Sequence, residues 1–217
     1  MSNPWLVLRM RAAAAADRRR LRALMRRHPG VEIDAGAASA LAVASFNLEP
    51  GARVRIGPGV VTERRPDGLR ISVQKGGELV VGAGTWLRTE LGPVILNVYR
   101  GARLEIGPDG FLNGAMISAK AGVRMGHGSW LGPGTRVWDS DQHALDDEIP
   151  ERATPVEIGN HVWVAADVTV LRGVTIGDHC VIGTRSLVSG SIGAHSLAFG
   201  SPARARGRIG DRSRVPI

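Results

Sequence analysis

The chain has 217 residues, of which 4% are aromatic, 29 are glycine and one is cysteine, and its formal net charge is +8. That length suits one repeat domain with a continuous core, and a single cysteine excludes an internal disulfide. No run approaches a membrane span or takes the form of a secretory signal, so a cytoplasmic protein is expected. The charge favours anionic partners, yet no nucleic-acid motif or aromatic-basic stacking platform accompanies it, so no nucleic-acid partner is expected.

At the start, Asn3-Pro4 reads as a helix opening, with asparagine as the cap and proline at the first helical position. The helix should run to about Arg27 and stop at Pro29-Gly30. Leu21, Leu24 and Met25 give it an apolar stripe, while Arg18, Arg19, Arg20, Arg22, Arg26 and Arg27 make the rest basic. Two roles stay open: peripheral docking on anionic lipid or a lipid-linked substrate at the inner face of the membrane, or capping a repeat array whose last coil would otherwise expose its core. The chain divides into this unit (1–30), a repeat domain (31–200) and a basic tail (201–217).

Repeats begin irregularly near Val31. Gly51-Ala52-Arg53-Val54-Arg55-Ile56-Gly57 recurs from Gly76 and again from Gly101, about 25 residues apart. Farther on the period tightens to six, with Ile158, Val164, Val170, Ile176, Ile182 and Val188 as first members. Val162, Val168, Val174, Cys180, Ser186 and Ile192 follow four residues after each. Six fits neither a helix nor a simple strand alternation. It fits an all-β parallel β-helix, three hexapeptides to a coil of about eighteen residues, with both sets pointing inward. Cys180 is then a small core residue. In the same phase Asp141 would fall on an inward position, which a dry core rejects, so the repeat must break. The break is a polar, proline-bounded loop at 139–155, the kind of excursion in which function concentrates.

Ile158-Gly159-Asn160-His161-Val162-Trp163-Val164, Gly173-Val174-Thr175-Ile176-Gly177-Asp178, Ile182-Gly183 through Ser189, and Gly200-Ser201-Pro202-Ala203 resemble the hexapeptide-repeat, left-handed β-helix acyltransferases. The similarity is greatest to the sugar O-acetyltransferases for maltose, galactoside and surface polysaccharide. The resemblance implies a homotrimer that transfers an acetyl group from acetyl-CoA, without a metal, to a small-molecule sugar or glycolipid acceptor. His143 matches the family's general base, and imidazole suits that role because it changes protonation near neutral pH. Asp139 and Asp141 are candidates to orient it or to contact the acceptor. The implied CoA wall comprises Trp163, Ala165, Ala166, Thr184, Ser189 and Gly190, with Arg204 and Arg206 for the phosphates. Trp163 could equally cover a subunit interface. Asn113 matches an acceptor-facing asparagine.

His161 and His179 lie one coil apart at an outward corner position, which reads as a ladder of polar corner residues rather than a metal site. The chain departs from the sugar enzymes in carrying Ser201-Pro202-Ala203 for Asn-Pro-Ala, and Lys120 or Ala121 where several have an acidic residue. Acceptor recognition should therefore differ from theirs. An N-acyltransferase, a γ-carbonic-anhydrase-like metal protein and a non-catalytic scaffold are the competing readings.

Overall fold

The computed structural model describes residues 4–215; Asn3, the expected cap, lies outside the described residues, as do the last two residues of the tail. A helix spans Pro4–Arg27, and the rest is a left-handed β-helix of three sheets. Among the described residues the first sheet has seven strands, from Val31–Ile33 to Thr175–Ile176. The second has eight, from Val61–Thr62 to Ala203–Arg208, and the third seven, from Ser45–Leu48 to Leu187–Val188. The chain visits them in that order, so each coil turns three corners: first to second sheet, second to third, and third back to first.

The expected inward positions are where the core lies. Ile158 pairs with Ile176 in the first sheet, Val164 with Ile182 in the second and Val170 with Val188 in the third. All six are at most 1% exposed. The second set fills the corners, from Val162 and Cys180 at 0% to Ile192 at 6%. Each coil therefore buries its own aliphatics against the coil above and below, and a continuous core results. The 25-residue recurrence is also a true coil length: Val54 sits on Leu79, and Leu79 on Leu104. These lower coils have longer strands, such as Leu69–Val73 and Val94–Val98, and an extra corner segment between the second and third sheets.

Both ends are closed. The second half of the helix packs on the 3-10 turn Ser39–Val43 and the first strand, burying Leu21 and part of Leu24 and Met25. At the other end the basic tail is not an appendage. Ala203–Arg208 turns back antiparallel onto Ser196–Gly200, and a segment from Ile209 onward runs down the first corner. The hexapeptide pattern stops after Ile192, which leaves this closing strand no sequence signature of its own.

Candidate active site

The excursion leaves the third corner as a short hairpin. Asp141 N–H donates to Arg152 O, Thr154 N–H to Asp139 O, and Ser140 bridges Ala153. Asp139 is fully buried, and its carboxylate accepts the backbone N–H groups of Lys120, Ala121 and Gly122 at 2.6–2.9 Å. Three amides converging on one carboxylate make it a fixed anchor for the corner. Asp141 is bound instead by Arg172 at 2.6 Å and Arg152 at 3.2 Å. The hydrogen bond from Arg172 holds its carboxyl below the usual carboxylate range. Neither aspartate is brought to His143: one is spent on the backbone, the other on two arginines. Both brace the stem.

Lys120 completes that stem. Its Nζ donates to Gln142 O and to Glu151 and lies 4.9 Å from the Tyr99 ring centre. The bond from Lys120, with a smaller effect of the nearby His143, keeps the Glu151 carboxyl below its ordinary value. Gln142, just before His143, has φ +69, a left-handed conformation uncommon for a side chain of this kind. Its side chain holds Ser140 Oγ at 2.6 Å. That turn presents the His143 ring on the exposed face of the loop, and among the described residues no hydrogen bond reaches it. The sequence flagged Lys120 only as a departure and gave no signal for Gln142, Glu151 or Arg172, whose partners are far away along the chain.

The remaining candidates fall on two edges. Asn113, Ala165, Ala166 and Thr184 lie at the second corner, Trp163 is on the adjoining outer face of the second sheet, and Arg204 and Arg206 are on that sheet's closing strand. Ser189 and Gly190 lie at the third corner, above the His143 loop. The third sheet separates the sets within one chain. Ala165 N–H donates to Ile182 O, and its C=O accepts Thr135 Oγ1. Coil stacking consumes both. Ala166 O likewise accepts Thr184 Oγ1 and Arg185 N–H. Asn113 is 6% exposed, and its Oδ1 is buried without a hydrogen-bond partner.

The first corner carries a feature larger than expected. His127, His161, His179 and His195 form one stack: His161 and His179 are 5.2 Å apart at 14°, His179 and His195 4.8 Å apart at 16°. His127 meets His161 edge-on at 5.0 Å. The separations approach the strand spacing of about 4.8 Å because equivalent corner positions repeat at that interval. The rings stack rather than converge, and among the described residues no three His, Cys, Asp or Glu groups are placed to hold a metal. Burial, then the neighbouring His127 and His179, pushes the His161 imidazole below its ordinary value. The tail segment seals the stack: Arg212 N–H donates to His179 Nδ1, Arg212 Nε to His161 O, and its guanidinium lies over Trp130 and Trp163 at 5.2 and 5.6 Å.

Comparison with known proteins agrees with this architecture. Residues 155–190 match the model for the bacterial transferase hexapeptide of six repeats. A Mycobacterium tuberculosis protein named "Probable acetyltransferase" is 32% identical over 94 residues, 41% of this chain and 31% of its own length. The galactoside O-acetyltransferase of Escherichia coli is 43% identical over 60 residues, 28% of this chain and 30% of its own. The matched segments thus span about a third of those relatives. Among solved structures, a polysialic-acid-specific acetyltransferase superposes with TM-score 0.70 at 19% identity, covering 86% of this chain and 78% of the other. A hexapeptide-repeat acetyltransferase of Vibrio cholerae, solved with acetyl-CoA, gives 0.50 at 22% identity, covering 63% and 72%. Those two likenesses show the fold. Residues 155–190 thus carry the hexapeptide repeat of bacterial transferases, and the chain has the β-helix fold of those solved structures.

Proposed function

We propose that this protein is an acetyl-CoA-dependent O-acetyltransferase whose acceptor is a sugar hydroxyl in a surface polysaccharide or glycolipid, with His143 as general base and no metal. The observation that carries this reading is the His143 ring, exposed and unbonded on a loop whose stem is braced by Asp139, Lys120 and Arg172. A rigid stem fixes the imidazole while leaving its nitrogens free for a substrate proton. The acetyltransferase names of the sequence relatives, and the galactoside and polysialic acid named for two of the matches, support the donor and the acceptor class.

Acetyl-CoA, when bound, supplies an acyl group activated as a thioester. His143 takes the acceptor's hydroxyl proton as that oxygen bonds to the acyl carbon. The carbon–sulfur bond breaks, and the imidazolium returns the proton to the departing thiolate. Arg204 and Arg206 are exposed on the closing strand with no carboxylate partner among the described residues, a donor set that fits phosphates. Trp163, Ala165, Ala166 and Thr184 offer a surface of one indole, two methyls and a hydroxyl for the pantetheine arm, and Ser189 and Gly190 flank the loop side. The orphaned Asn113 Oδ1 is an acceptor that a sugar hydroxyl would satisfy.

The same layout supports a homotrimer. One set of candidates lies at the second corner and the other at the third, so a site using both needs the second corner of a neighbouring copy beside the His143 loop. Three copies of a three-sided prism meet that requirement by rotation. Leu145 and Ile149, 65% and 41% exposed near the loop's tip, suit contact with another copy. The test is an acceptor screen with acetyl-CoA, followed by thiol release. Turnover with sugars bearing free hydroxyls is expected, and no acetyl-CoA binding by calorimetry would refute the enzyme.

A further inference from the structure

The helix Pro4–Arg27 is longer than the surface it covers. From Asp17 onward it is tied down: Asp17 is 1% exposed and receives Arg64 Nε at 2.9 Å, and Leu21 is buried four residues later. Before Asp17 the helix carries further apolar side chains that nothing in the β-helix covers. Leu6, Leu8 and Met10 are 56, 57 and 63% exposed. Water is a poor partner for two leucines and a methionine within five residues, and large apolar side chains exposed round a helix tip mark an interaction surface.

The charge of the helix selects the partner. It contains eight arginines and a single acid, and that acid is already neutralised by Arg64 and Arg20. Arg9 and Arg11 are exposed beside the apolar tip, and Arg19, Arg22, Arg26 and Arg27 are exposed farther along. Apolar side chains that enter the acyl boundary, flanked by guanidinium groups at the level of the phosphates, are the chemistry of an anionic bilayer surface. A second copy would bring an equally cationic helix against this one, and like charges oppose that pairing. Among the described residues no helix is long and apolar enough to cross a membrane, so the contact is peripheral.

We propose that the first two turns of this helix dock the protein on anionic phospholipid bilayers. The strand that leads into the His143 loop, Arg136–Trp138, lies four strand spacings along the third sheet from the capped end, about 19 Å at the usual spacing.

The experiment is co-sedimentation of the full chain with vesicles of pure phosphatidylcholine and of a one-to-three mixture of phosphatidylglycerol and phosphatidylcholine. Pelleting with the mixture alone, weakened by salt, is expected. Leu6→Asp with Leu8→Asp, and separately Arg9→Glu with Arg11→Glu, should each reduce it roughly tenfold or more. These side chains are exposed, so circular dichroism and oligomeric mass should not change. Equal binding to both vesicles, binding to neither, or variants that pellet like the parent would overturn the proposal. So would a fall in oligomeric mass in the leucine variant, which would make the tip a contact between copies.

Discussion

Two corners of one β-helix carry histidines, and they treat them in opposite ways. At the first corner three rings are stacked coil on coil with a fourth set edge-on against them; His161, His179 and His195 have positive φ, and the tail covers the stack. At the third corner His143 stands alone on an excursion, exposed and without a hydrogen bond among the described residues, while Lys120 is tied to Glu151 and Arg172 to Asp141. Burial and neighbouring rings push His161 toward its neutral form. The scaffold supplies order at one corner and availability at the other, and only availability suits proton transfer.

The sharpest way to break this comparison is to change one histidine at each corner. His143→Ala should lower kcat by about 10²–10⁴-fold, the usual contribution of a general base, with an unchanged melting temperature. His161→Asn, chosen because asparagine tolerates positive φ, should leave turnover within roughly threefold of the parent, as expected of a surface-corner change away from the chemistry. If the two variants lose activity equally, the corners do not differ as described.

Next comes the anchor of the stem. Asp139→Asn keeps the shape but removes the charge and turns an NH₂ toward backbone N–H donors. A cost of about 3 kcal/mol is expected, which for a chain of this size lowers the melting temperature by roughly 6–12 °C. Thermal unfolding checks it, and a shift under a degree or two would show that the amides at 120–122 do not need the carboxylate. Arg172→Gln releases one side of Asp141 and should reduce kcat/KM by roughly tenfold through a looser loop, with little loss of stability. An unchanged kcat/KM would mean that Arg152 suffices.

The smallest effect is in pH dependence. The folded pKa of His161 lies below the unfolded one, so the folded state binds fewer protons as pH falls. That stability is fully present above about pH 6.5 and is lost as pH drops toward the lowered value. The melting temperature of the parent should therefore decline from pH 7 toward pH 5, before the carboxylates titrate, and His161→Asn should flatten the decline. Parallel curves for parent and variant would remove His161 from the account.

Much of this architecture was legible because a solenoid repeats its instructions. Ile158, Val164 and Val170 define three sheets from sequence spacing alone, and the 25-residue recurrence from Val54 to Leu104 gave the lower coils. The excursion was legible as the place where Asp141 could not continue the pattern. What the aspartates do was not. Asp139 acts on amides 17–19 residues earlier and Asp141 on a side chain 31 residues later, and contacts between successive coils leave no local spacing to read. The histidine stack was half visible: His161 and His179 are 18 residues apart. The loop displaces His127, and the shortened last coil displaces His195, so neither falls in phase.

The antiparallel strand at the top of the second sheet has a consequence for the number of coils. A parallel coil presents the same edge it was built on, so an unprotected last coil would accept another molecule's first one and continue as a fibre. Ala203–Arg208 reverses direction, exposes five of its six residues and sets Arg204, Arg206 and Arg208 along the rim. An incoming edge meets the wrong polarity and a row of like charges. The repeat alone has no length; this strand helps to give the molecule one.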